Sequence, residues 1–267
     1  MSVTISILSQ KGGTGKTTTV RTLTDVLRRI GLTVLAVDLD PQGNLSDYLD
    51  VDPDASPTIG DVLAGRAKAR DALHNGIIPA NLGLAEAELA LGGKMGRELT
   101  LKKALREVSS EFDIVLIDCP PALGLLTVNA LVASDYALLS AEAQYFALQG
   151  VEQALEVIDL ARDSLNPDLE LLGIVLNIAD MRTRHSREAF DSLRQHFGDK
   201  LVETTIRPSI AYAESAERAM SILDYRPDLG ADYLTVADEL LKRLGIDKPR
   251  KRLRELVRSS QPAQASA

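Results

Sequence analysis

The stretch LSQKGGTGKTTTV, Leu8 to Val20, sets three glycines between two lysines, Lys11 and Lys16, and runs directly into a helical pattern. It overlaps VTISILS (3–9), a β-branched, alternating run that reads as a strand. A strand, a glycine-rich turn and a helix in that order make a phosphate-cradling loop. Gly12, Gly13 and Gly15 let the backbone bend so that successive N–H groups converge on phosphate oxygens. The helix N-terminus behind them adds positive potential. In such a loop Lys16 meets the β- and γ-phosphates and the Thr17 hydroxyl ligates Mg²⁺. The general pattern G-x-x-x-x-G-K-[ST] is not met in full, because Gln10 stands where its leading glycine belongs. The stretch fits K-G-G-x-G-K-[ST] instead, which makes Lys11 a second lysine with no role in a single loop. Its strongly hydrated ammonium needs an anion or water, and plain exposure to solvent satisfies that as well as a phosphate does.

Working outward, LTVLAVDLD (32–40) is a second buried strand that emerges with Asp38 and Asp40, and DIVLIDCPP (113–121) is a third that emerges with Asp118. A bound Mg·ATP needs carboxylates near the metal and a group that orients the attacking water. Here three acids end apolar strands of the sheet that carries the loop. A helical pattern fills 16–30 and closes at Gly31; residues 44–110 are less regular, with short helical stretches at 58–65 and 97–112. Helices at 122–134, 147–165 and 186–198 then alternate with strands at 135–143, 169–178 and 200–206, before helices near 210–219 and 229–244. The alternation predicts one α/β domain over 1–245: a mainly parallel, twisted sheet with helices on both faces. Ligands of such sheets bind beyond the carboxyl ends of the strands, where the loop and the acids fall.

With 45% apolar residues in 267, a sizeable core is available, and no apolar run is long enough to span a bilayer. The first residues alternate and lack a signal peptide's apolar block, so a cytoplasmic protein is expected. The single cysteine, Cys119, excludes an internal disulfide and any cluster that takes several thiolates from one chain. The net charge of −8 is unevenly spread: KPRKRLRELVR (248–258) carries +5 and leaves −13 on the rest. Residues 246–267 thus form a basic C-terminal extension that ends in SSQPAQASA, small and polar, expected to be disordered.

The KGGTGKT stretch, together with DLDPQGN (38–44) and VLIDCPP (115–121), resembles the deviant Walker A motif and its companions in the ParA/MinD family of dimerising P-loop ATPases. The resemblance implies ATP and Mg²⁺ as cofactors. It implies that Lys11 reaches across a homodimer to the partner's phosphates, that Lys16 binds its own, and that Asp40 positions or activates the hydrolytic water. Asp118 would hold Mg²⁺ through its water shell, with Thr17 a ligand and Asp38 shaping the same environment. The nucleotide-binding set runs through Lys11, Gly12, Gly13, Thr14, Gly15, Lys16, Thr17 and Thr18, with Pro208 beside it. Asn177, at the end of GIVLN, is either a partner for the adenine edge or a strand-end turn residue.

Over roughly residues 1–245 the likeness is to the chromosomal ParA (Soj) branch, carried by IDCPPALGLLTVNAL (117–131), QYFALQGVEQ (144–153) and FGDKLVETTI (197–206). That branch implies non-specific binding of double-stranded DNA in the ATP state, hydrolysis triggered by a ParB-like partner, and cargo movement over the nucleoid in chromosome or plasmid partition. Arg182 matches a DNA-linked family position, and Arg184 and Arg187 extend it. In IRPSIAYAES (206–215), Arg207, a further candidate for DNA, and Pro208 are swapped relative to the branch, and Ala211 stands where a basic residue is common. The tail offers Arg250, Lys251, Arg252, Arg254 and Arg258 to phosphates. The alternative is a MinD-like membrane-cycling ATPase that positions the division site. Leu253, Leu256 and Val257 have the helical spacing for it, but three aliphatics without an aromatic make a small apolar face. Metabolic relatives on the same scaffold need cluster cysteines or a C-terminal tyrosine cluster; Cys119 is alone and the last tyrosine is Tyr233.

Overall fold

The structure, a computed structural model, describes residues 2–260. Strands β1 (Val3–Leu8), β2 (Val34–Asp38), β3 (Ile77–Ile78), β4 (Ile114–Asp118), β5 (Tyr136–Glu142) and β6 (Glu170–Asn177) form a sheet of order β3-β2-β4-β1-β5-β6. Every pairing in it is parallel. The helices are α1 (Lys16–Arg29), α2 (Asn44–Tyr48), α3 (Ile59–Ala64), α4 (Gly83–Leu91), α5 (Thr100–Leu105), α6 (Leu125–Ala133), α7 (Ala147–Ser164), α8 (Arg184–Phe197), α9 (Ala211–Glu217), α10 (Ile222–Tyr225), α11 (Pro227–Arg243) and α12 (Asp247–Ser260).

The strands read as apolar runs because both of their faces are covered. Leu35, Val37, Val115 and Ile117 face a core closed by α3 to α8. Their neighbours Val34, Ala36, Ile114 and Leu116 face a second core closed by α1, α11 and α12. The register sets Asp38 directly beside Asp118, so two acids share one end of the sheet next to the loop after β1.

Three elements depart from the sequence expectation. The irregular stretch 44–110 contains the edge strand β3, two residues long, and the helix α4. The strand expected over 200–206 runs extended along β6 without joining the sheet as a strand. It touches β6 through one bridge, Ile174 to Leu201, and through bonds from Val202 N to Ile174 O (2.8 Å) and Ile206 N to Leu176 O (2.9 Å). Between those points the Glu239 carboxylate of α11 accepts Glu203 N (2.9 Å) and Thr204 N (3.0 Å), and so takes donors a ladder would have used.

The basic extension folds onto the body. In α12 Leu253 is fully buried, worth about 2 kcal/mol, and Leu256 and Val257 pack partly buried on the same core. Ser259 and Ser260, expected in a disordered tail, continue this helix; the rest of that tail lies outside the described residues, as does the side chain of Arg258. Among the described residues no helix is long and apolar enough to cross a membrane.

Candidate active site

The loop leaves β1 at Leu8 and enters α1 at Lys16. Gly13 (φ 80°) and Gly15 (φ 79°) adopt the left-handed conformation that the turn requires. A Cβ on Gly15 would stand in van der Waals contact with Asn177, at 3.4 Å, so the positive φ is what requires glycine there. The first turn of α1 contains no acid, so its free N–H groups have no competing carboxylate. The loop floors a cleft of about 770 Å³, lined by residues 11–18, Asp40, Gln42, Tyr48, Asn177, Arg207, Pro208, Ile210 and Tyr212 among others. That volume suits a nucleotide-sized ligand.

Lys16 is buried, and its Nζ lies 2.5 Å from Oδ1 of the fully buried Asp118. Burial alone lowers the Lys16 pKa, but the charge and hydrogen bond of Asp118 outweigh it, and the net shift is upward. The other oxygen, Asp118 Oδ2, is buried with no hydrogen-bond partner. Asp38 Oδ2 accepts Ser46 N (2.9 Å) and Ser46 Oγ (2.7 Å), and its Oδ1 accepts Asp40 N (3.1 Å). Burial, then the Asp118 charge, push Asp38 up to about 7 against those hydrogen bonds. Asp38 is therefore the post that holds segment 40–46. That segment is also braced by Ala80 N, which donates to Ser46 Oγ at 3.0 Å. Asp40 lines the cleft, and its Oδ1 accepts Gln42 N at 3.0 Å. No local sequence signal marks Ser46 as the partner of Asp38, eight residues away.

Among the described residues no three His, Cys, Asp or Glu side chains gather around a metal position. A divalent ion held here would depend on phosphate oxygens and water, as suits Mg²⁺, with Thr17, which lines the cleft, and Asp118, buried behind Lys16, as the groups that could hold it. The unpartnered oxygens of Asp118 and Asn177 and the unpartnered hydroxyl of Tyr212 fit a site completed by Mg·nucleotide. The Asn177 amide donates to Ser140 Oγ (2.7 Å) and Thr19 Oγ1 (3.3 Å), and Ser140 Oγ donates to Thr14 O (3.1 Å). These bonds tie β5 and β6 to the underside of the loop. Cys119 is buried, and burial pushes its thiol up to about 12.

Lys11 is exposed and sits over the ring of Phe146, 5.8 Å from its centroid. The basic residues expected at DNA divide into groups at opposite ends of the sheet. Arg182, Arg184 and Arg187 follow β6 at its carboxyl end, and Arg207 lines the cleft there. Arg182 pairs with Asp180 (2.8 Å), Arg184 with Glu188 (2.6 Å) and Arg207 with Asp232 (2.8 Å). Arg187 donates to Arg182 O at 3.0 Å. Arg250, Lys251, Arg252 and Arg254 lie on α12, where Arg252 donates to Ile30 O (3.1 Å) just past the far end of α1. Arg250 pairs with Asp238 (2.9 Å), Arg254 approaches the same acid (3.8 Å), and Lys251 is exposed.

The family described as an AAA domain matches residues 2–171. The sporulation initiation inhibitor protein Soj of Bacillus subtilis is 38% identical over 245 residues, 88% of this chain and 97% of that protein. The chromosome partitioning protein ParA of Myxococcus xanthus is 35% identical over 93% of this chain and 91% of its own length. The crystal structure of a Mycobacterium smegmatis protein named cobyrinic acid a,c-diamide synthase, with a bound ATP analogue and magnesium, superposes with a TM-score of 0.74 at 38% identity. The match covers 81% of this chain and 93% of that one. A phosphate loop with two lysines, three acids at strand ends beside it and likeness to these proteins along most of the chain agree: this is an ATPase of the ParA/MinD family of deviant Walker A proteins, on its Soj branch.

Proposed function

We propose that the chain is an ATP-driven dimerising switch for chromosome or plasmid segregation, or for positioning another cargo. In the ATP state two copies pair and hold double-stranded DNA without sequence preference; hydrolysis, stimulated by a ParB-like partner, releases them. Such a cycle runs in the cytoplasm, on the nucleoid.

The observation that carries this reading is the division of labour between the two lysines. Lys16 is buried and already neutralised by Asp118. Lys11 is exposed on the rim of the same cleft and, among the described residues, makes no ion pair, so its charge is free for another copy's phosphates. Exposed apolar side chains support a protein partner on that face: Leu82, Tyr145, Phe146, Ile178 and Ile210 all follow the carboxyl ends of strands or line the cleft.

Within one protomer, the loop N–H groups and Lys16 bind the phosphates and Asp40 orients the attacking water. Mg²⁺, when bound, neutralises charge that develops on the β- and γ-phosphates, and Thr17 and Asp118 would hold it. The bound ATP analogue and magnesium of the Mycobacterium smegmatis protein support that cofactor pair. Arg182, Arg184 and Arg187, on the carboxyl-end surface, are the favoured DNA contacts. Burial of Leu253 and packing of Leu256 and Val257 leave α12 little apolar surface for a bilayer, which favours DNA over the MinD-like alternative.

Sedimentation velocity with and without plasmid DNA tests the reading. A slowly hydrolysed ATP analogue should give a dimer that co-sediments with DNA, and ADP a monomer that does not. A monomer in both states, or DNA binding that ignores the nucleotide, contradicts it.

A further inference from the structure

The fold sets the Lys11 ammonium over the ring of Phe146. The backbone beneath it is fixed: Ser9 Oγ donates to Lys11 O at 2.8 Å, and the Gln10 side chain donates to that of Gln153 on α7. Phe146 is fixed as well, since its carbonyl accepts Gly150 N at 3.0 Å and Ala147 N donates to Gln144 O at 2.9 Å. Its ring is braced edge-on by Tyr145, with centroids 5.0 Å apart and planes at 87°. Phe146 is 57% exposed, more than a core residue of its size would be. A cation held 5.8 Å over such a ring is drawn to the negative face of the π-system.

We infer that Phe146 is a positioning residue for Lys11: its ring parks the ammonium in the lone protomer and sets the threshold of ATP-driven pairing. The inference rests on the dimerisation reading above. A lysine that enters a neighbouring copy's phosphates must leave the ring, so a contact made only in the monomer opposes the dimer. Two such contacts break for each dimer formed. At the strength of an exposed cation–π contact, their loss tightens the dimer about five- to thirtyfold. In this scheme Phe146 touches neither nucleotide nor the attacking water; it acts on pairing through Lys11, and the apolar contact its side chain offers a partner is kept in Phe146→Leu.

The test uses the full chain and two substitutions that keep apolar bulk. Phe146→Leu removes the π face, and Phe146→Trp supplies the aromatic ring that attracts cations best. Proton NMR of the nucleotide-free protein should show the Lys11 ε-methylene shifted upfield by the ring current in wild type, and unshifted in Phe146→Leu. With a slowly hydrolysed ATP analogue, the dimer dissociation constant should fall for Phe146→Leu and rise for Phe146→Trp. Absence of the upfield shift in wild type overturns the parking. An unchanged or raised dissociation constant in Phe146→Leu overturns the competition. A wild-type chain that stays monomeric at saturating analogue overturns the dimerisation reading itself and removes the event that parking opposes, whatever the NMR result.

Discussion

Lys16 and Asp118, 102 residues apart in sequence, meet as a buried ion pair at 2.5 Å. The loop lysine is thus paired with the carboxylate proposed to serve the metal. Either charge left alone in that site is costly. Asp118→Ala should therefore destabilise the nucleotide-free protein by about 3–5 kcal/mol, read from urea denaturation midpoints. Lys16→Ala should abolish nucleotide binding or productive closure, read by equilibrium binding of a fluorescent ATP analogue. Asp118→Ala with wild-type stability would mean that the pair is not formed in solution.

In the proposed cycle Asp40 leaves phosphate binding to the loop and acts on water. Asp40→Ala should bind ATP, dimerise and stay on DNA while turnover falls at least about a hundredfold. Phosphate release and DNA retention, measured on one preparation, check this together. Normal hydrolysis by the variant would remove Asp40 from that role.

The site was legible where local pattern and strand topology coincide. Alternation before Leu8, glycines through Gly15 and helical spacing after Lys16 locate the loop, and the acids at strand ends need only parallel pairing to come together. What escaped depends on distant side chains. A two-residue edge strand at Ile77–Ile78 has no periodicity to read. The segment at 200–206 has strand-like composition, but Glu239 captures its N–H groups. The basic stretch of α12 reads as a solvated patch, whereas Leu253 anchors it and Asp238 takes Arg250. Phe146 lies within QYFALQGVEQ, but nothing in that stretch points to Lys11; only the fold brings the two together.

Cys119 sits next to Asp118 yet is chemically silent. Burial raises its thiol to about 12, so almost no thiolate exists at pH 8. Alkylation of the native chain by iodoacetamide should stay slow from pH 7 to 9, rising with pH without levelling off. In urea it should rise with pH as for an ordinary thiol near about 8.5. Rapid native labelling at pH 8 would place the thiol in a wetter site.

Arg182 is held by two hydrogen bonds of 2.8 Å to Asp180, and Arg182, followed by burial acting the other way, keeps that carboxyl at about 2. Asp180 stays ionised, and Arg182 compensated, throughout the pH range in which DNA binding is measured. Asp180→Asn should free the guanidinium and strengthen DNA binding several-fold in the ATP state. The slope of log K against log salt should steepen by about 0.9. Arg182→Ala should weaken binding on every sequence alike and make the slope shallower. No effect from either substitution would move the DNA surface elsewhere.

The exposed Lys11 is the centre of the account. Its most direct test is the mass of wild type and Lys11→Ala, by light scattering on a sizing column with Mg²⁺ and a slowly hydrolysed ATP analogue. Nucleotide occupancy is read from the same peak. The expected result is a loaded wild-type dimer and a loaded Lys11→Ala monomer. A Lys11→Ala chain that dimerises as wild type does would contradict it.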